Sequence, residues 1–440
     1  MAEVSTPAAV ALGPNRPQGD LAAAQLGIEP VPSHHRVLGF LDVFVLWADL
    51  GVGLLVLLAG TYLVPGLSFG GAIAAIVLGT LIGVLLLGMA GAVGSARGVT
   101  AMVALRPSFG VRGSYVPSIV NVVQLVGWGA FEVIFMGQAS ARLATPILGP
   151  NTYPFFAVVW AGIVILMGLG GPLVVVRQWL EKVGIWIVLI TAVWMLVYAA
   201  THLDLGAAVA RPGDGSLTFA QGIDLVVVMP VSWLPIVGDF NRFARNTRSA
   251  FWGTVTGYGV TNIGFYALGV VLALYLPQGD LVGSILAIAF GAAGLVLLLG
   301  DESDNAFADI YSAAMSVKNI RPGLPTRWLV AAIGAVALGI ALTVDLGQYQ
   351  SFLYLVGALF VPLYGVLFAD YFLLKRGRRT TADYYPDEAT SGEVSLPAFV
   401  AWGVGIAAYW AVITYAPWLG GTLPSLAASL LVYLVLGRRR

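Results

Sequence analysis

From Leu38 to the carboxyl end one feature recurs: apolar runs long enough to cross a bilayer as helices, separated by short loops of Gly, Pro and Arg. A spanning helix needs about 20 such residues, and in lipid every backbone N–H and C=O must be paired within the segment or a closed barrel. The runs are too long for barrel strands, so the expected fold class is an all-α integral membrane protein. Twelve transmembrane helices are expected, over Leu38 to Val64, Gly70 to Val93, Tyr115 to Ala141, Pro154 to Gly171, Val183 to Leu203, Phe219 to Val237, Phe251 to Leu276, Ile285 to Ser312, Trp328 to Val344, Phe352 to Leu374, Leu396 to Tyr415 and Thr422 to Leu436. Composition agrees, with 59% hydrophobic and 10% charged residues, where a soluble domain carries about 25% charged. Residues 1–36 are rich in Ala, Pro and Gly without apolar periodicity and read as a disordered cytoplasmic tail.

Several chemistries are excluded early. There is no Cys, so disulfides, thiolate metal sites and cysteine nucleophiles are absent. The three His, at 34, 35 and 202, form no H-E-x-x-H, and none of Lys182, Lys318 and Lys375 follows a Gly as a phosphate loop requires. Zinc hydrolysis and nucleotide-powered pumping by this chain are disfavoured. Charge placement sets an orientation. Loops from odd to even spans hold Arg142 and Arg211, whereas the opposite side and both tails take the other 20 of 22 basic residues. Basic loops stay cytoplasmic, so both termini are expected there, in a multi-pass protein of the plasma (inner) membrane.

The acidic residues carry more information. Asp49, Glu132, Asp224, Asp301, Glu302, Asp304 and Asp309 lie within or at the ends of apolar runs with no Lys or Arg nearby in sequence. An ionisable group in a bilayer costs several kcal/mol unless it faces a cavity or a partner, so a polar interior pathway is expected. Two spans are also interrupted. The first contains Trp47-Ala48-Asp49-Leu50-Gly51-Val52-Gly53, and the sixth Met229-Pro230-Val231-Ser232-Trp233-Leu234-Pro235. Glycines weaken helical continuity and prolines remove donors. The two breaks match if spans one to five (37–205) and six to ten (206–379) form a five-plus-five inverted repeat, with two further helices over 380–440. Paired discontinuous helices of that kind build a site near the midplane.

In the third span Asn121, Gln124, Trp128 and Glu132 share one helical face. An indole one turn from a carboxylate suits a planar heterocycle with N–H donors, which stacks on the ring and donates to the acid. Trp233 closes the other side. In the eighth span Asp301, Asn305 and Asp309 step by four and are expected on one face, with Ser303 and Asp304 directed elsewhere. Hard oxygens there suit a small cation such as sodium, together with carbonyls of an unwound helix, or a titrating carboxylate. Asp224 stands as an interfacial residue or proton relay. Asp239 with Arg242, and Asp370 with Lys375, read as anchors or latches at helix ends.

Taken in order, these residues resemble the nucleobase-cation-symport-1 family of purine, cytosine, allantoin and hydantoin permeases, across nearly the whole chain from Val37. The markers are Trp128-Gly129-x-x-Glu132, Ser232-Trp233 followed by Asp239-Phe240-x-Arg242-Phe243, the eighth-span acidic cluster with Asn305, and Pro362-x-x-Gly365 leading to Ala369-Asp370-Tyr371-Phe372. Asp309-x-Tyr311-Ser312-Ala313 and Asn319-Ile320 look like the branch assigned to hydroxymethylpyrimidine, beside the cytosine permeases. The resemblance implies the inverted-repeat fold, discontinuous helices in spans one and six, and alternating access. It implies that Trp128 and Trp233 stack the ring, that Glu132 replaces a substrate-binding amide and Asp309 an Asn, that Asn305 lies in the same site, and that Gly53 stands where relatives carry a contacting Gln. It places a sodium site at carbonyls near Asp49 and Val52 with Gly300, Ser303 and Asp304. Asp304 departs from the family's hydroxyl residue, so the coupling ion is sodium or a proton. The expected function is cation symport of an aminopyrimidine, with no cofactor, no enzyme activity and no nucleic-acid partner. The alternatives are a purine, allantoin or hydantoin permease or, from another class, an intramembrane enzyme. The sequence leaves the oligomeric state open.

Overall fold

The computed structural model describes residues 27–170, 205–275, 281–287, 290–386 and 393–439, with scattered positions between 190 and 201. The fifth expected span falls almost wholly outside these residues. Among them the chain is helical, with no strand beyond an isolated bridge between Leu38 and Ala244. The first span forms two helices, α1 (Phe40–Asp49) and α2 (Leu54–Thr61), bent by 58°. There follow α3 (Phe69–Arg97), α4 (Tyr115–Leu148), α5 (Tyr153–Gly170), α6 (Phe219–Ser232), α7 (Leu234–Asn241) and α8 (Thr247–Tyr275). Then come α9 (Gly291–Ile320), α10 (Thr326–Ala341), α11 (Tyr349–Phe368), α12 (Leu396–Tyr415) and α13 (Thr422–Leu436). Among the described residues seven helices, or eight with the bent pair, are long and apolar enough to cross a membrane. The acidic run of α9 keeps it out of that set, and α10 and α13, at 16 and 15 residues, are short.

Local signals set the boundaries. Ser68 caps α3 by accepting the Gly71 N–H, and Gly98 ends it at φ 68°, a left-handed conformation that glycine adopts without penalty. Thr218 and Gln221 form a reciprocal capping box at the start of α6. Leu78, Leu81 and Leu85 of α3 point outward, which is the lipid side of such a helix. The helices pack as two groups. One holds α1, α2, α3, α6, α7 and α8, and the other α4, α5, α9 and α10. The remaining helices, α11, α12 and α13, pack on one another and reach the first group through α6.

Two expectations are corrected. The sixth span is interrupted only at Trp233, whose dihedrals (φ −84°, ψ −11°) are helical, so its break is milder than the 58° bend of the first span. Pro235 lies in the first turn of α7, where no intrahelical donor is needed, and so does not unwind the helix. Residues 27–36 of the expected disordered tail are ordered, and its residues 1–26 lie outside the described residues. Residues 27–36 form a strap across the end of the molecule that carries Arg97, Arg106, Arg242 and Lys318. Val31 donates its N–H to Gly98 O at 2.8 Å, and Arg242 donates to Gly27 O at 2.7 Å. Tyr385 donates its hydroxyl to Ile28 O, and Ile28 and Val31 are buried.

Small residues let the helices meet backbone to backbone. A Cβ added at Gly60 of α2 would lie 2.4 Å from Tyr266 O, and one at Gly269 of α8 would lie 2.2 Å from Leu57 O. Neither neighbour is a flexible side-chain end that can yield. Gly269→Val is expected to destabilise the fold by about 1–3 kcal/mol, the usual cost of overpacking. Thermal unfolding of purified protein in detergent checks this, and an unchanged midpoint would contradict the packing described.

Candidate functional site

The break between α1 and α2 leaves polar backbone groups without helical partners, and α9 supplies them. Glu302 accepts the Leu54 N–H at 2.5 Å and the Leu55 N–H at 3.4 Å, so one carboxylate caps the head of α2. Asn305 donates Nδ2 to Val52 O at 2.9 Å. Gly53 is extended (φ 165°) and keeps the crossing close, since a Cβ there would lie 3.1 Å from Asn305 Nδ2 and 3.3 Å from Glu302 Oε2.

Between the two helix groups lies a small cavity. Gly53, Trp128, Glu132, Trp233, Asn305 and Asp309 all line it, together with Glu302 and the apolar Leu50, Leu55, Val56 and Met229. All six residues expected to bind substrate are therefore brought together. Trp128 packs edge-on against Tyr349 (5.7 Å between centroids) and Phe352 (5.2 Å), while Trp233 packs against Trp47 (5.9 Å) and Tyr258 (6.4 Å). These contacts fix both indoles. Three buried polar atoms of lining residues have no partner in the chain: Trp128 Nε1, Glu132 Oε2 and Asn305 Oδ1. Such groups cost free energy unless something else pairs with them, and together they offer a ligand one donor and two acceptors. Glu132 of α4 and Glu302 of α9 place two acids from neighbouring helices in the cavity wall.

Spacing explains why Glu302 was not expected. Its face of α9 is Glu302, Asn305 and Asp309, at i, i+3 and i+7, a stripe within about 60° of one line at 100° per residue. The expected stripe of Asp301, Asn305 and Asp309 drifts by about 80° over the same length. The structure places Asp301 elsewhere, beside Asp49 and Asp304. That second group is buried, and among the described residues no hydrogen-bond partner meets either oxygen of Asp49 or of Asp301. The remaining residues expected at a cation site have partners within the chain. Ser303 donates its hydroxyl to Gly300 O at 2.6 Å, and the Val52 carbonyl is held by Asn305. Among the described residues no group of three or more His, Cys, Asp or Glu side chains is arranged to hold a metal ion.

Other candidates have structural roles. Asn121 donates to Pro235 O at 3.2 Å and Ser316 Oγ at 2.8 Å, and Gln124 to Ser232 O at 3.2 Å, which ties α4 to α6, α7 and α9. Asp224 accepts the N–H groups of Gly421 and Thr422 and so caps α13. Asp239 accepts the Ala101 N–H at 2.9 Å, Arg242 donates to Tyr311 Oη at 3.2 Å, and Asp370 pairs with Arg379 at 2.8 Å in place of Lys375.

Comparison with known proteins gives the relationship. The cytosine permease of Escherichia coli strain K12 is 27% identical over 390 residues, covering 86% of each chain. The purine-uracil permease NCS1 of Arabidopsis thaliana is 25% identical over 417 residues, covering 85% of this chain and 68% of that one. The solved structure of Mhp1, a nucleobase-cation-symport-1 transporter in a closed conformation with bromovinylhydantoin bound, superposes with a TM-score of 0.80 at 20% identity, over 94% of this chain and 95% of that one. That likeness establishes a transporter fold. The family described as permeases for cytosine/purines, uracil, thiamine and allantoin matches residues 30–435, and the chain belongs to it, a member of the nucleobase-cation-symport-1 family.

Proposed function

We propose that the chain is a secondary active transporter that imports a planar aminopyrimidine, such as cytosine or hydroxymethylpyrimidine, across the plasma membrane by cation symport. One observation carries this reading: a cavity at the break of a spanning helix, walled by two fixed indoles and by carboxylates with an unpaired acceptor. The flat faces of Trp128 and Trp233 take the ring, and Glu132 and Asp309 take its N–H donors. Uracil and hydantoins, richer in carbonyls, match this acceptor-rich wall less well. The cavity's position between two helix groups suits alternating access, in which one group rocks against the other in a twelve-span, five-plus-five arrangement with both termini cytoplasmic.

Cation coupling is assigned to the neighbourhood of Asp49, Val52, Gly300, Ser303 and Asp304. A bound sodium ion there would draw on backbone carbonyls of the broken helix, and a proton would sit among the acids. Counterflow uptake of labelled cytosine in vesicles, with sodium and proton gradients imposed separately, tests the reading. Uptake driven by one gradient and competed by hydroxymethylpyrimidine is expected. Competition by allantoin or adenine alone would move the substrate to another branch of the family, and no uptake of any of these rings would refute the reading.

A further inference from the structure

The charge of the cavity narrows the substrate beyond its ring. Asp49, Glu132, Asp301, Glu302, Asp304 and Asp309 are all at least 95% buried. No Lys, Arg or His occurs at 37–96, 113–141, 212–241 or 249–317, the stretches that supply the cavity-lining residues and these six acids. A buried acid without a basic partner must be answered by backbone donors, by a proton or by something bound. The Asp49, Asp301 and Asp304 group lies in the region assigned to the coupling ion. Of the acids that line the cavity, Glu302 accepts the two N–H groups of α2, and Glu132 faces the same cavity from α4. Asp309 lines the same cavity, and among the described residues no hydrogen bond or ion pair reaches it. Glu132 Oε2 and Asn305 Oδ1 are unpaired acceptors, and Trp128 and Trp233 add two indoles, the best aromatic partners for a cation.

We propose that the species bound here is a monocationic flat heterocycle with an amidinium-type edge, an amino group on the carbon next to a protonated ring nitrogen, in preference to a neutral ring of the same shape. Such an edge donates two parallel hydrogen bonds to a carboxylate, delivers the positive charge that Asp309 lacks, and presents a cationic face to the indoles. The inference rests on the permease reading of the cavity.

The test compares matched pairs, benzamidinium against benzamide and, in mildly acidic buffer that keeps the ring protonated, 2-aminopyridinium against aniline, on the full-length protein purified in detergent. Binding is read from tryptophan fluorescence and from thermal shift. Each cation is expected to bind at least about 10-fold more tightly than its neutral partner, as charge-assisted hydrogen bonds and cation–π contacts outweigh neutral ones. Asp309→Asn is expected to bring each pair within about threefold, whereas Trp128→Phe weakens both members together. If Asp309→Asn fails to fold, the comparison on the unaltered protein still decides. Neutral members that bind as well as or better than the cations overturn the proposal. Vesicle uptake separates the two readings: cytosine accumulated without competition by the cations leaves a permease for neutral rings and sinks this inference, while no binding or uptake of any ring sinks both.

Discussion

Glu132→Gln is expected to lower the initial rate of aminopyrimidine uptake on the order of 30- to 100-fold, with the amount of protein in the membrane unchanged. Glu132 Oε2 is buried in the cavity wall with no partner in the chain, so the acceptor is held ready for a ligand donor. The amide keeps the shape but can turn a donor toward the ligand's own donor, leaving a buried polar group unpaired at about 2–3 kcal/mol, which corresponds to that loss of rate. Glu302 keeps its contacts with the Leu54 and Leu55 N–H groups, and the fold is not the target of the change. Labelled cytosine uptake normalised to protein level is the measurement, and undiminished uptake would remove the basis for placing the ligand's donors at this residue.

The second large effect is expected at Glu302. Replacing it with Leu removes the acceptor of both the Leu54 and Leu55 N–H groups at the head of α2. Each buried unpaired N–H costs about 1–3 kcal/mol, so the broken crossing loses its anchor. Glu302→Leu is expected to lower the thermal unfolding midpoint and to reduce uptake by about 100-fold or more, at the scale of that cost. Glu302→Gln keeps one acceptor oxygen for Leu54 and is expected to restore most of the thermal midpoint. Near-normal uptake by the Leu variant would show that the carboxylate is dispensable to the break.

The contrast between these two acids shows what was legible in the sequence. Glu132 stands out because it sits in an otherwise apolar span one turn from Trp128, and a bilayer makes such a position expensive. Span limits were legible for a related reason, since hydrocarbon thickness fixes helix length. Glu302 lies in a run of acids where no single member is conspicuous, and its partners Leu54 and Leu55 are 248 and 247 residues away. Only three-dimensional pairing selects it. The first break was legible from Gly51 and Gly53, whose lack of side chains permits close approach to α8 and α9: a Cβ on Gly51 would lie 2.3 Å from Thr261 Oγ1. In the sixth, Pro235 falls in the first turn of α7, where a proline is tolerated, while Pro230 is accommodated inside α6 and the helix is interrupted only at Trp233.

The strap over residues 27–36 has a consequence for how this protein tolerates change. Its outward contacts at Gly27 O, Ile28 O and Val31 N are made by main-chain atoms. Side-chain identity is held where the strap is buried, at Gly27, Ile28 and Val31, and is looser at the exposed Glu29. Spacing is constrained throughout: one inserted or deleted residue between positions 27 and 31 puts the three anchors out of step and unseats the strap as a unit.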